Sequence, residues 1–93
     1  MAEYLVELYV SREDAALVEH SVEQARSAAA QLTEAGTPVR YVQAIFVPED
    51  ETCFLLYEAE SAEAVREAAR RAGLPSERVT EALGARKEEE ACR

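Results

Sequence analysis

Hydrophobic and polar residues alternate along this chain with two different periods, which separate predicted strands from predicted helices. Residues 3–10 follow a period of two, as expected of a strand that buries one face. Residues 12–34 carry apolar side chains at helical spacing, and Gly36 then ends this helix. Ser11, with Asp14 three positions later, resembles a capping box at the start of the helix. The first third of the chain is therefore predicted to form a strand followed by a long amphipathic helix.

The remainder of the chain predicts three more strands and a second helix. Residues 39–47 and 52–59 have strand-like patterns, and a short polar turn at 49–51 joins them. Helical spacing resumes over residues 62–72, and residues 77–83 form a short strand at the edge of the sheet. The order is βαββαβ, the ferredoxin-like arrangement, an α+β fold. Its two right-handed crossovers place both helices on one face of a four-stranded antiparallel sheet.

The length and composition of the chain fit one folded domain. Ninety-three residues are enough for a single modest core. A hydrophobic content of 48%, with only 3 Gly and 3 Pro, excludes a disordered or low-complexity chain. We predict a ferredoxin-like domain over residues 1–83 and a charged, flexible C-terminal tail over residues 84–93. Cys53 in a predicted strand and Cys92 in the tail are not expected to form a disulfide bond.

The charge of the chain limits the partners it can have. There are 19 Asp and Glu residues against 10 Lys and Arg residues, so the net charge is −9. This charge repels phosphate backbones and anionic lipids, and we expect neither nucleic acid nor a membrane as a partner. The sequence shows no signal peptide, and no stretch reaches the roughly 20 apolar residues that span a bilayer. We therefore expect a cytoplasmic protein.

The predicted sheet is apolar on both faces, although a sheet with one wet face normally alternates apolar and polar residues. On a regular period of two, the second strand has Val39, Tyr41, Ile45 and Val47 on one side and Val42, Ala44 and Phe46 on the other. Whichever side meets the helices, the other exposes large apolar side chains, which monomers rarely leave uncovered. We expect a homodimer packed sheet to sheet about a two-fold axis.

Glu7 is a charged residue in the middle of the apolar first strand. A carboxylate in an apolar cleft can serve as an acid–base group. With Tyr9 and Tyr57 as hydrogen-bond donors, Glu7 would form the catalytic site of a small cofactor-free enzyme, of the isomerase, cyclase or oxygenase type. The structural alternative is an ion pair with Arg40 or Arg78 across the sheet, or a solvated rim position.

The sequence contains no recognised catalytic motif, which favours a binding or accessory protein over an enzyme. A purely structural dimerisation domain remains a third alternative. His20 is the only histidine in the sequence, and Glu23 follows three residues later in the predicted helix. These two residues are the candidate metal ligands, although two donors do not make a selective site. Helical spacing predicts that His20 faces solvent.

One stretch of the sequence resembles a known family. The strand end Cys53-x-x-x-Tyr-Glu-Ala59 leads into a helix that reads Ala64-Val-Arg-Glu-Ala68. This stretch resembles the small bacterial domain-of-unknown-function family 4242, often labelled nickel-binding proteins, over residues 3–83. The resemblance implies a ferredoxin-like fold, a dimer, and binding of a small ligand or a divalent metal such as nickel. Ala69 stands where the resemblance predicts a histidine or asparagine, so it assigns no metal ligand to a residue of this chain.

Overall fold

Strands and helices follow one another in the order βαββαβ over residues 1–83, the part of the chain that the computed structural model describes. The strands of this part are β1 (Ala2–Tyr9), β2 (Val39–Val47), β3 (Thr52–Ala59) and β4 (Val79–Ala82). The helices are α1 (Ala15–Glu34) and α2 (Ala62–Arg71), and a 3₁₀ turn (Pro48–Asp50) joins β2 to β3. The predicted element order is confirmed. The predicted tail, with Cys92, lies outside the described residues.

The strands form one antiparallel sheet with the order β2-β3-β1-β4, and the two helices pack on the same face of it. β1 and β3 are the central strands, whereas β2 and β4 are the edges. The nine-residue β2 is much longer than the four-residue β4. This architecture confirms the predicted ferredoxin-like α+β fold.

The start of α1 differs from the prediction. The helix begins at Ala15, with Asp14 as its N-cap, and the Asp14 side chain makes no capping hydrogen bond. The backbone N–H of Asp14 instead donates to the carbonyl oxygen of Ser11 over 2.9 Å, and the N–H of Glu13 donates to Ser11 Oγ over 3.3 Å. These two bonds fold the segment into a turn before the helix starts. The predicted capping box between Ser11 and Asp14 is therefore wrong.

Both helices end at a glycine in the left-handed backbone region. Gly36 follows α1 with φ +107°, and Gly73 follows α2 with φ +75°. Other residues adopt this conformation only at an energetic cost, so the two glycines stop the helices cleanly. The predicted stop at Gly36 is confirmed.

The hydrophobic core lies between the helices and one face of the sheet. The buried side chains on this face are Tyr4, Val6, Leu8, Val10, Val39, Cys53, Leu55, Tyr57 and Ala59. The buried side chains of the helices are mainly small, and they include Ala25, Ala28, Ala29, Leu32, Ala64, Val65, Ala68 and Ala69. Because alanine has no atoms beyond Cβ, the helix backbones approach the larger side chains of the sheet closely.

A β-bulge at Val42 interrupts β2. Tyr41 pairs with Tyr57 on β3, and the next residue of β3, Leu56, pairs with Gln43. Val42 therefore has no partner of its own on β3. Such an extra residue breaks the period-two alternation, so every later side chain of the strand lies on the opposite face from the one that a regular strand would give.

The bulge corrects the predicted faces of β2. Ala44 and Phe46 lie on the helix face with Tyr41, because they pair with buried residues of β3. Ile45 and Val47 lie on the other face. The prediction that Ile45 and Val47 share a face with Val39 and Tyr41 was wrong, because it assumed a regular strand.

Candidate functional site

The face of the sheet opposite the helices is the candidate functional surface, and we call it the open face. Its centre is apolar, and we call this centre the apolar patch: Leu5, Ile45, Val47, Phe54 and Leu56. Leu5 lies directly opposite Leu56, and Phe54 lies directly opposite Ile45. Ile45 is 46% exposed, and the other four are half-buried. Within one chain, no second layer of the described residues covers this patch.

Two ion pairs flank the apolar patch, and we call them the rim pairs. The Glu7 carboxylate lies 3.6 Å from the Arg78 guanidinium, and the Glu58 carboxylate lies 2.9 Å from the Arg40 guanidinium. All four side chains are partly or largely exposed, so each pair contributes at most about 1 kcal/mol to stability. Glu7 thus has Arg78 as its partner, one of the two arginines that the sequence offered.

Tyr9, the second candidate catalytic residue, lies at the end of β1 on the open face and is 70% exposed. Its hydroxyl donates to Glu51 Oε1 over 3.4 Å. Glu51 Oε2 also accepts from the backbone N–H of Arg12, and the Glu51 carbonyl accepts from the N–H of Val10. Glu51 has a left-handed backbone with φ +51°. Tyr9 therefore belongs to a contact between the end of β1 and the turn before β3.

Tyr57, the third candidate catalytic residue, lies on the opposite face of the sheet from Glu7 and Tyr9. It is fully buried, and its hydroxyl has no hydrogen-bond partner among the described residues. Burial raises the pKa of Tyr57 well above its ordinary value of 10.0, and the neighbouring Tyr41 raises it further. The structure thus brings Glu7 and Tyr9 to one surface and places Tyr57 in the core.

An aromatic and cationic cluster on the helix face was not predicted from the sequence. The rings of Tyr41 and Tyr57 meet edge to face, with centroids 6.1 Å apart, and the Arg26 guanidinium lies 5.5 Å from the Tyr41 ring centroid. Burial raises the pKa of Tyr41, an effect that Arg26 partly offsets. Burial also raises the pKa of Cys53, which is a free and buried thiol. The cluster depends on how α1 crosses β2, which no local sequence signal records.

The two candidate metal ligands lie on the outer surface of α1. His20 and Glu23 are both exposed, and the predicted solvent position of His20 is confirmed. Among residues 1–83, no group of three or more His, Cys, Asp or Glu side chains is arranged to hold a metal ion. The same residues of a single chain form no pocket. None of the helices they form is long and apolar enough to cross a membrane.

The fold and the open face define a small ferredoxin-like module whose sheet is covered by helices on one side. The chain belongs to the family described as nickel responsive protein SCO4226-like, which matches residues 4–82. This membership confirms that the chain belongs to a small family whose label refers to nickel, as the resemblance in the sequence implied.

A solved relative has the same fold. The crystal structure of SCO4226 from Streptomyces coelicolor A3(2) matches this chain with a TM-score of 0.70 and 23% sequence identity. The match covers 90% of this chain and 100% of that chain. The comparison with curated proteins gave no match to this chain. The structural match shows the fold, and the family match supports a small binding or accessory protein.

Proposed function

We propose that this protein is a small cytoplasmic accessory protein of the nickel response, which works as a homodimer packed through its open face. The apolar patch is the observation that supports this proposal. Large side chains that remain partly exposed on a sheet face are typical of an interaction surface. A two-fold contact places the patch of one chain on the patch of the other, at the spacing of about 10 Å usual for stacked sheets.

The charges around the apolar patch are compatible with such a contact. Burying an unpaired charge at an interface is costly, whereas a charge that already has a partner can remain at the rim. Glu7 is paired with Arg78, and Glu58 is paired with Arg40. A second copy therefore meets an apolar surface flanked by two neutral pairs and by the carboxylate of Glu3 on β1, despite the net charge of −9 on each chain.

The family description makes nickel the first ligand to test, and the donor set of one chain fits it poorly. His20 supplies one imidazole, and Glu23 supplies one carboxylate from the next turn of α1. Nickel favours imidazole nitrogen, and two exposed donors do not make a selective site. We infer that residues 1–83 of a single chain hold nickel weakly, and the homodimer does not depend on the metal.

The homodimer is tested with Leu5→Lys, which places a charge in the centre of the apolar patch. The lysine is next to Glu3 and Glu7 on the same face, so the fold should tolerate it. At low micromolar concentration we expect two-chain particles for the wild type and single chains for Leu5→Lys, as measured by sedimentation velocity. Ala16→Lys, which adds the same charge at an exposed position of α1, should remain two-chain. A wild-type chain that sediments alone would overturn the proposal.

Nickel binding is tested by titrating nickel chloride into the full chain in a calorimeter. We expect a weak binding heat that is lost in His20→Ala and retained in Gln24→Ala, which changes a neighbouring exposed side chain. The imidazole is the stronger donor of the pair, so its removal should abolish the signal. Tight stoichiometric binding that survives His20→Ala would contradict the assignment of His20 and Glu23.

A further inference from the structure

β2 (Val39–Val47) is a long edge strand, and its outer side faces no other strand within residues 1–83. Edge strands expose unpaired N–H and C=O groups, which can pair with another chain. The opposite edge, β4, has four residues and includes the charged Glu81. The longer edge, whose one charged residue is Arg40 near its start, is therefore the one able to accept another strand.

The hydrogen bonds of the sheet show which backbone groups point outward from β2. In an antiparallel ladder, alternate residues direct both backbone groups toward one neighbour, and the residues between them point the other way. The backbone N–H of Glu7 donates to the carbonyl of Arg78, so the backbone N–H and C=O of Glu7 point away from β3. Phe54, opposite Glu7 on β3, accordingly pairs with Ile45 on β2. Ile45 therefore directs its backbone groups inward.

It follows that Ala44 and Phe46, on either side of Ile45, direct their N–H and C=O groups outward. Outside the ladders of the sheet, neither backbone N–H donates to another backbone group among the described residues. Val39, which also points outward, is covered, because the Thr33 side chain accepts from its N–H over 3.1 Å and donates to its carbonyl over 2.9 Å. One end of the edge is thus closed by a side chain, and the segment around Ile45 is open.

The open part of the edge lacks the features that normally prevent pairing. Charged side chains, proline and bulges protect edge strands. Residues 43–47 contain no charge and no proline, and the bulge at Val42 lies before them. Pro48 follows directly, and it ends any ladder because it has no N–H. These five residues form a regular, uncharged segment between two interruptions.

We propose that β2 pairs with β2 of a second copy, antiparallel and centred on Ile45. Ala44 of each chain then lies opposite Phe46 of the other, and their outward groups form hydrogen bonds. The charges favour this orientation, because it brings Arg40 at the start of each strand toward the exposed Glu49 and Asp50 that follow the other strand. Parallel pairing would instead place the two Arg40 side chains side by side.

This edge contact uses a different surface from the face-to-face dimer of the proposed function. Each contact can form without the other. A chain that uses both assembles into particles of more than two chains, and a chain that uses only one stops at two. Substitutions on the two surfaces therefore separate the two proposals.

The edge contact is tested with Ala44→Pro. The N–H that proline removes points away from β3, so the β2–β3 ladder is kept, and only pairing with another chain is blocked. At several hundred micromolar we expect the wild type and Ala44→Val to form particles of more than two chains, and Ala44→Pro to stop at two. Leu5→Lys should form two-chain particles at this concentration, and Leu5→Lys with Ala44→Pro should remain single. Sedimentation velocity measures all five proteins.

Amide hydrogen exchange provides a test that needs no variant. In the wild type, the amide of Phe46 should exchange about tenfold more slowly at high than at low concentration, whereas that of Glu81 on the opposite edge should not change. An Ala44→Pro variant that assembles like the wild type would overturn the edge contact. A two-chain wild type that is lost in Leu5→Lys but not in Ala44→Pro rejects the edge contact alone. The reverse pattern rejects the face-to-face dimer alone.

Discussion

Leu55→Ala is expected to lower the free energy of unfolding by about 3 kcal/mol, the cost of deleting a buried leucine side chain and leaving a cavity. Leu55 lies in the middle of β3 and is fully buried on the helix face. Its register neighbours are Val6 on β1 and Ala44 on β2, so it is held by strands on both sides. The hydrogen-bonded ladder keeps these strands in place, and the cavity cannot collapse easily.

Leu56→Ala is the matched control, because it removes the same atoms from the next residue of the same strand on the open face. Leu56 is half-buried, and we expect its loss to cost less than about 1 kcal/mol of folding stability in the single chain. Urea unfolding of both variants in the Leu5→Lys background measures stability without the contribution of dimerisation. In the wild-type background, Leu56→Ala should weaken the two-chain particle. Equal losses of stability for Leu55→Ala and Leu56→Ala would mean that the two faces of β3 are equally buried.

Tyr57→Phe is expected to raise the free energy of unfolding by about 1–2 kcal/mol. The Tyr57 hydroxyl is buried without a hydrogen-bond partner among the described residues, and such a group is stabilised better by water in the unfolded chain. Phenylalanine keeps the ring and its edge-to-face contact with Tyr41. Tyr41→Phe, on the half-buried ring of the same pair, should change stability by less than about 0.5 kcal/mol. Thermal or urea unfolding near neutral pH compares the variants.

The same hydroxyl predicts a dependence on alkaline pH. The pKa of Tyr57 is raised in the folded chain, so ionisation of its hydroxyl favours the unfolded chain. This effect is absent below the ordinary value of 10.0, and it lowers the folding stability as the pH rises above that value. Burial raises the pKa of Cys53 too, and its contribution starts to be lost above its ordinary value of 9.0. The wild type should therefore lose stability on going from neutral pH to above pH 10, and Tyr57→Phe should lose less. Parallel stability curves for the two proteins would show that the Tyr57 hydroxyl ionises freely in the folded chain.

Periodicity predicted the elements of this fold well because each one has a strong local pattern. The first strand alternates without interruption, and the structure buries one set of its alternating residues, Tyr4, Val6 and Leu8. The bulge at Val42 could not be predicted in the same way. A bulge is defined by the pairing with the partner strand. Most residues of β2 before and after Val42 are apolar, so they fit either face of the sheet. The start of α1 was predicted too early, because a serine followed by acidic residues is as typical of a turn as of a helix N-cap.

The candidate site was only partly accessible from the sequence. That Glu7 is a charge among apolar residues is visible in the pattern, but the choice between Arg40 and Arg78 depends on the order of the strands. Arg78 is the partner because it directly precedes β4, and β4 lies beside β1. Tyr57 was grouped with Glu7 although it lies on the other face, because the register between β1 and β3 was unknown.

The strand order also governs when the sheet can form during synthesis. β1 is made first, but it pairs only with β3 and β4, which emerge from the ribosome later. The apolar side chains of β1 therefore lack a partner strand until at least residues 52–59 have been made. β2 has no partner strand before then either. A nascent chain that ends after β2 contains two apolar strands that cannot pair with each other in the native order. The sheet is consequently completed late, as one cooperative unit. Until then, the unpaired apolar strands are exposed and can associate with other chains.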